Sequence, residues 1–265
     1  MHKLSRQVRF SINPFGPNPR GYNSFASDPP GEGLALYFAL WVEVWGSLDA
    51  DTGFVINVTE IDKAVRGRVV GDFSKFLQER FWDAERISFA DLAKFLRGAG
   101  EKLAATLGGQ AVKGLTLELS PFRKLSIDTG QVNEMYISEK FEFAATHTLW
   151  NSKFSEEKNF EMFGKCANPT GHGHNYVIEV VLKAGVEEQW PGMGAVEKII
   201  DENFISLVDH KNLNADVPQF KELNPTVENI AVVAWRKLAP ALPAGMLEKV
   251  NVWETDKTYC SYDGR

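Results

Sequence analysis

The chain is poor in cysteine: Cys166 and Cys260 are the only two in 265 residues. A disulfide framework therefore does not hold this fold together, and a reducing, cytoplasmic setting is expected. Long apolar runs are missing as well. The longest, Leu34 to Val42, has nine residues, whereas a membrane-spanning helix needs about twenty, so no membrane partner is expected. The basic start Met1-His2-Lys3-Leu4-Ser5-Arg6 is followed by no apolar stretch, which argues against a secretory signal. Positive charge is in deficit: 29 Lys plus Arg against 35 Asp plus Glu leave a net charge of −6. That excludes a generally basic nucleic-acid binder but leaves room for a local basic pocket for an anionic small molecule.

What is present points to two domains, since a domain takes roughly 150 residues. Val8 to Ile12 reads as a first strand. Asn13 to Gly33, where Pro and Gly cluster, reads as a long loop, and Leu34 to Trp45 as a buried second strand ending at Gly46. Asp51-Thr52-Gly53 signals a turn. Helical segments follow to about Gly98, with a further helix over 101–107, and Leu115 to Leu119 returns to strand periodicity. The order then recurs. Lys140 to Ala145 and Tyr176 to Leu182 read as strands. Val196, Ile199, Ile200, Phe204, Leu207 and Val208 mark an amphipathic helix. A second helix runs to about Leu238, with Asn224 as N-cap and Pro225 at the first position, and Val250 to Trp253 closes the unit. The expected domains are 1–129 and 138–265, joined by a linker over 130–137. Direct identity between the halves is thin, so the order of elements is the main argument for a repeat.

Four of the five histidines lie in the second half. His172-Gly173-His174 places two imidazoles on one face of an extended strand. His147, on or just after a neighbouring strand, can supply a third nitrogen. Three neutral imidazoles leave an open position on zinc, as catalytic sites do. Taken alone, a His-x-His pair is more often solvated or core-satisfied, and it is the third histidine and a nearby thiol that favour a metal. Cys166, six positions before His172, sits among the loop formers Gly164 to Gly171, and a thiol with an ordinary pKa of about 8.5 shifts toward thiolate beside a dication. Asp209-His210 can act as a proton relay or simply as a turn. Glu254, at a strand end before Thr255, can accept two N–H bonds from a guanidine-like heterocycle edge. Cys260 reads as structural. Cys, His and Asp together also suggest a thiol hydrolase, but no acyl-binding motif accompanies them.

Four motifs occur in a fixed order: Phe143-Ala144-Ala145-Thr146-His147, Phe163-Gly164-Lys165-Cys166 through Gly171-His172-Gly173-His174-Asn175-Tyr176, Asp209-His210-Lys211-Asn212-Leu213, and Trp253-Glu254-Thr255-Asp256. With Pro225-Thr226-Val227-Glu228-Asn229 and Leu242-Pro243-Ala244-Gly245, this stretch from about Phe141 to Gly264 resembles the 6-pyruvoyl-tetrahydropterin synthase family. The resemblance implies an α+β tunnelling fold, an antiparallel four-stranded sheet with two helices on one face, whose sheets associate into a barrel. It implies zinc on His147, His172 and His174, and Cys166 as general base with Asp209 and His210 as its relay. Glu254 would anchor the pterin, with Thr255 and Thr226 as further substrate contacts. The implied reaction converts 7,8-dihydroneopterin triphosphate with loss of triphosphate and internal redox rearrangement of the side chain. The five residues between Cys166 and His172 match the pyruvoyl-forming enzymes. The 6-carboxytetrahydropterin synthases of deazapurine biosynthesis typically have a shorter gap. A zinc-containing pterin-binding protein without turnover is a third reading.

The family's Thr-Gly-x-Val turn is blurred in the second half into Pro191-Gly192-Met193-Gly194-Ala195-Val196, yet a form of it stands in the first half as Thr52-Gly53-Phe54-Val55. A tandem of two tunnelling-fold copies is therefore expected. The first copy is degenerate: Gly31-Glu32-Gly33-Leu34 falls where the second has Gly171-His172-Gly173-His174, and Leu119 where it has Glu254. Like halves would cluster, giving a homotrimer that imitates a hexamer of single units, with a tetramer as the rival.

Overall fold

A computed structural model describes residues 1–108 and 111–265. The chain divides into two compact units: Met1–Ile137 with Ala184–Glu188, and Ser138–Lys183 with Gln189–Arg265. The fold is α+β in both. The first unit runs β1 (His2–Ile12), β2 (Leu36–Gly46), α1 (Val58–Val65), a π turn (Arg66–Val70), α2 (Gly71–Trp82), α3 (Phe89–Thr106), β3 (Ala111–Glu118) and β4 (Arg123–Asp128). Its strands pair antiparallel in the order β1-β2-β3-β4. Phe10 on β1, Phe38 on β2 and Phe73 on α2 meet in its core, with Phe73 edge-on to both others.

The sequence reading breaks the helical region near Gly98. Instead α3 runs continuously through Gly98 and Gly100. Each glycine costs a helix about 1 kcal/mol relative to alanine. The buried stripe of Leu92, Leu96, Ala99 and Leu103 outweighs that cost, and Ser88 and Asp91 close a reciprocal capping box at the helix start. The expected linker over 130–137 is also partly strand, because β5 (Glu134–His147) begins inside it.

The second unit continues from β5 through α4 (Glu156–Phe163), a 3₁₀ turn (Gly164–Ala167), β6 (His172–Gly185), α5 (Met193–Ile200), a π turn (Asp201–Ile205), α6 (Ser206–Val208), β7 (Lys211–Asn212), α7 (Leu213–Asp216), a 3₁₀ turn (Pro218–Phe220), α8 (Val227–Leu238), β8 (Leu247–Thr255) and β9 (Thr258–Tyr262). Its sheet order is β5-β6-β8-β9, and the two-residue β7 lies parallel to β5 at Ala145 and Thr146. The amphipathic helix expected from Val196 starts at Met193, and Val196, Ile200, Phe204 and Val208 are fully buried along it. They pack in one core with Ile230, Ala231 and Ala234 of α8 and the inner faces of β6 and β8. Residue 226, not Asn224, caps α8: the Thr226 hydroxyl accepts from Asn229 N–H at 3.3 Å, while Asn224 spends its side-chain oxygen on the Trp150 N–H. No helix among the described residues is long and apolar enough to cross a membrane.

An aromatic trio ties the sheet to the helices in this unit. Phe143 stacks on Tyr176 at 4.9 Å and meets Phe204 edge-on at 5.7 Å. All three are buried. Phe204→Ala should therefore destabilise this unit by about 3–5 kcal/mol. Denaturant unfolding followed by near-UV circular dichroism measures it; a loss under about 1 kcal/mol would contradict the packing described.

Candidate metal centre and surrounding cleft

Two strand ends and one carbonyl build the centre. His147 is the last residue of β5, and His172 and His174 open β6 with their side chains on one face, as period-two alternation requires. Gly171, at φ +69°, makes the turn into β6, and a Cβ there would stand 3.0 Å from the His147 carbonyl oxygen. Glycine is required on both counts, conformation and space. Gly173 faces β5 closely too, its would-be Cβ 3.3 Å from Thr146 Cγ2. The glycines thus let the strand bearing two histidines approach the strand bearing the third.

One ring nitrogen from each of His147, His172 and His174 lies within 4.8 Å of the others. His147 is fully buried, and its Nδ1 lies 2.7 Å from the Pro225 carbonyl oxygen. A carbonyl only accepts, so Nδ1 carries the proton and Nε2 presents its lone pair to the centre. That Nε2 stands 3.1 Å from His172 Nε2. His174 Nε2 is buried without any hydrogen-bond partner among the described residues, which is costly for a polar atom unless something binds there. Burial holds the His147 and His174 imidazoles below their ordinary pKa, so both are neutral near pH 7. Three converging imidazoles, one of them with an orphaned nitrogen, form a donor set that fits zinc.

Cys166 reaches the same centre from the 3₁₀ turn behind α4. Ser155 caps the start of α4, Gly164 at φ +54° ends it, and the Cys166 carbonyl accepts from Leu149 N–H at 2.8 Å. The thiol sulfur lies 3.7 Å from His172 Nε2. Burial, and secondarily the Glu254 carboxylate, push the thiol upward. Glu254 Oε1 sits 3.6 Å from His147 Nε2 and 3.8 Å from His174 Nε2.

Asp209 and His210 form a rigid corner. His210 adopts φ 55°, a left-handed conformation costly for a residue with a Cβ. Two backbone bonds to Ala144 hold it there: His210 N–H to the Ala144 carbonyl at 2.6 Å, and Ala144 N–H to Asp209 Oδ1 at 2.9 Å. His210 Nδ1 pairs with Asp209 Oδ2 at 2.8 Å. The Ala144 N–H, then the His210 imidazole, keep the Asp209 carboxyl below its ordinary range.

A cleft of about 810 Å³ opens beside the centre, lined by His174, His210, Lys211, Asn212, Glu254 and Thr255, with Asp256 at its edge. The structure thus brings His174, His210, Glu254 and Thr255 to one cleft, and Cys166 to the three-histidine cluster. No hydrogen bond joins Cys166 to Asp209 or His210 among the described residues. Thr226 is not in the cleft wall; its hydroxyl caps α8. Sequence reasoning missed two partners of His147: the Pro225 carbonyl, which carries no side-chain signature, and the Tyr176 hydroxyl at 3.4 Å. Tyr176 was visible as the third member of the 172, 174, 176 alternation.

A family model described as 6-pyruvoyl tetrahydropterin synthase matches residues 136–265. The human 6-pyruvoyl tetrahydrobiopterin synthase is 39% identical over 141 residues, covering 51% of this chain and 95% of that protein. The enzyme of that name from Poecilia reticulata is 41% identical over 135 residues, 49% of this chain and 90% of the relative. A solved structure of Caenorhabditis elegans 6-pyruvoyl tetrahydropterin synthase is 34% identical, with a TM-score of 0.47, and covers 50% of this chain and 96% of that one.

One metal ion per chain should bind at the three histidines, and His172→Ala should lose it. Elemental analysis of mildly purified protein decides this: two ions per chain, or a His172→Ala variant with full occupancy, would overturn the ligand set.

Proposed function

Because the chain belongs to the 6-pyruvoyl tetrahydropterin synthase family, we propose that its second unit is a zinc-dependent lyase that converts 7,8-dihydroneopterin triphosphate to 6-pyruvoyl-tetrahydropterin with release of triphosphate. The observation that carries this reading is the convergence of three imidazoles with the Cys166 thiol and the Glu254 carboxylate. Zinc held by His147, His172 and His174 would supply Lewis acidity toward the oxygens of the substrate side chain. Cys166 takes the proton from the carbon next to the one that bears triphosphate; the electron pair left behind becomes a new carbon–carbon double bond, and triphosphate departs with the pair of the carbon–oxygen bond that breaks. Asp209 orients His210 and stabilises its protonated form, so His210 returns protons to the opposite face. Glu254 accepts two N–H bonds from the pterin edge, and Thr255 borders the same cleft. The five-residue spacing between Cys166 and His172 supports the pyruvoyl product over the carboxy product. Two free thiols suit a cytoplasmic compartment.

The first unit is read as a degenerate copy of the second. Phe10, Phe38 and Phe73 occupy the places of Phe143, Tyr176 and Phe204, and both units carry a π turn in the helix after the second strand. Leu40 pairs with Leu117 on β3 as Ile178 pairs with Val252 on β8. That register keeps Leu119 opposite Glu254, but it puts Leu34 and Leu36, rather than Glu32 and Leu34, in the places of His172 and His174. Pro14 takes the place of His147. With no metal ligand among these residues, chemistry belongs to the second unit alone.

The absence of a hydrogen bond from Cys166 to Asp209 or His210 among the described residues supports a site completed by a second chain, with three second units in a ring. Light scattering should give the mass of a homotrimer; a stable monomer would contradict this, and a tetramer would mean rings built from paired chains.

Cys166→Ala should keep the metal and bind pterin but lose about a hundred- to ten-thousand-fold in turnover. Glu254→Gln should instead raise KM, because an amide offers one acceptor where the carboxylate offers two. Triphosphate release under steady-state conditions measures both. A near-normal rate for Cys166→Ala would remove it as the base.

A further inference from the structure

A second cavity, of about 580 Å³, opens in the same unit, and its wall is built unlike that of the cleft. Lys153 and Lys221 contribute two positive charges to it, and neither ammonium has a hydrogen bond or ion pair among the described residues. Glu222 is the one carboxylate in the wall. Asn151 and Asn224 line it too, and both spend their side-chain oxygens on backbone groups. Asn151 Oδ1 accepts from Lys153 N–H at 2.9 Å, and Asn224 Oδ1 from Trp150 N–H at 2.9 Å. Each amide therefore keeps its NH₂ end as an unpaired donor, with its orientation fixed by the backbone bond. Ser152 adds a hydroxyl. Two free cations and several unclaimed donors around one cavity are the chemistry that recognises a polyoxyanion.

The cleft has the opposite character. Its wall carries Glu254 and Asp256 against the single lysine Lys211. A pterin edge that donates N–H bonds is welcome there, but several phosphate charges are repelled. The two spaces adjoin along the chain. Asn212 lines the cleft and Asn214 the cavity. The segment 147–150 leads from a metal ligand to the cavity wall at Trp150, passing Leu149, whose N–H bonds the Cys166 carbonyl. Asn214 clamps this segment through both backbone groups of Thr148, at 2.8 and 2.9 Å.

We propose that this cavity is the polyphosphate subsite, where Lys153 and Lys221 hold the triphosphate tail while the pterin lies in the cleft. The proposal rests on the pterin synthase reading above. Lys153 and Lys221 thereby set specificity for the phosphorylated substrate without touching the bonds that change.

Inorganic tripolyphosphate is the probe, titrated calorimetrically into the metal-loaded full-length protein and into the double variant Lys153→Gln/Lys221→Gln. Both side chains are exposed and unpartnered, so the variant should fold and keep its metal. Wild type should bind tripolyphosphate, and the variant should bind it about tenfold or more weakly. KM for the triphosphate substrate should rise in parallel, and Lys153→Arg/Lys221→Arg should restore binding. Unphosphorylated 7,8-dihydroneopterin should bind both proteins equally. Equal tripolyphosphate affinity in variant and wild type, or no binding by wild type, would overturn the subsite. Failure of wild type to bind 7,8-dihydroneopterin would instead strike at the pterin reading, on an arm that tripolyphosphate does not touch.

Discussion

The buried bond from His147 Nδ1 to the Pro225 carbonyl, 2.7 Å long, is the constraint from which the site is built. It fixes the tautomer of a fully buried ring and aims Nε2 at His172 and His174. It also ties the end of β5 to the segment that starts α8, so the core that packs α8 against the sheet holds the ring in place as well. Losing the carbonyl would leave the buried N–H only the Tyr176 hydroxyl at 3.4 Å, a loss of about 1–3 kcal/mol, and would free the ring to turn. The same economy recurs at His210, where backbone bonds to Ala144 on β5 hold a strained corner in place. Backbone groups of one strand and one loop thus orient side chains that the sequence shows only as isolated histidines.

Much of the site was legible because strand periodicity is a strong constraint. Residues 172, 174 and 176 alternate with glycine and asparagine, and the structure puts all three side chains on one face of β6, converging on His147. The Asp209-His210 pair was legible as a unit, while its strained backbone was not, since nothing in a local pattern announces φ 55° at a histidine. Cys166 was legible through its loop-forming neighbours, yet the helix Glu156–Phe163 that delivers it went unread. That helix buries only Asn159 and so has little apolar signal of its own. Thr226 illustrates the limit on the other side. A hydroxyl near a motif reads equally well as a substrate contact or as a helix cap, and the 3.3 Å bond to Asn229 N–H makes it a cap.

Fold-level reading succeeded where buried apolar spacing was regular and failed where two signals competed. The helix through Gly98 and Gly100 persists because its apolar face is covered by β3 and β4, a tertiary effect that propensity omits. Between the two units the glycine motifs and the strand register give different alignments. Gly31 and Gly33 match Gly171 and Gly173 in spacing, whereas aligning the pair Leu40–Leu117 with Ile178–Val252 sets Leu34 and Leu36 against His172 and His174.

The central claim is that the second unit turns over a pterin triphosphate to a definite product. Incubating the metal-loaded protein with 7,8-dihydroneopterin triphosphate and identifying the products by mass spectrometry tests it most directly. The account predicts one equivalent of triphosphate and 6-pyruvoyl-tetrahydropterin. Appearance of 6-carboxytetrahydropterin instead, or tight binding with no triphosphate released, would contradict it.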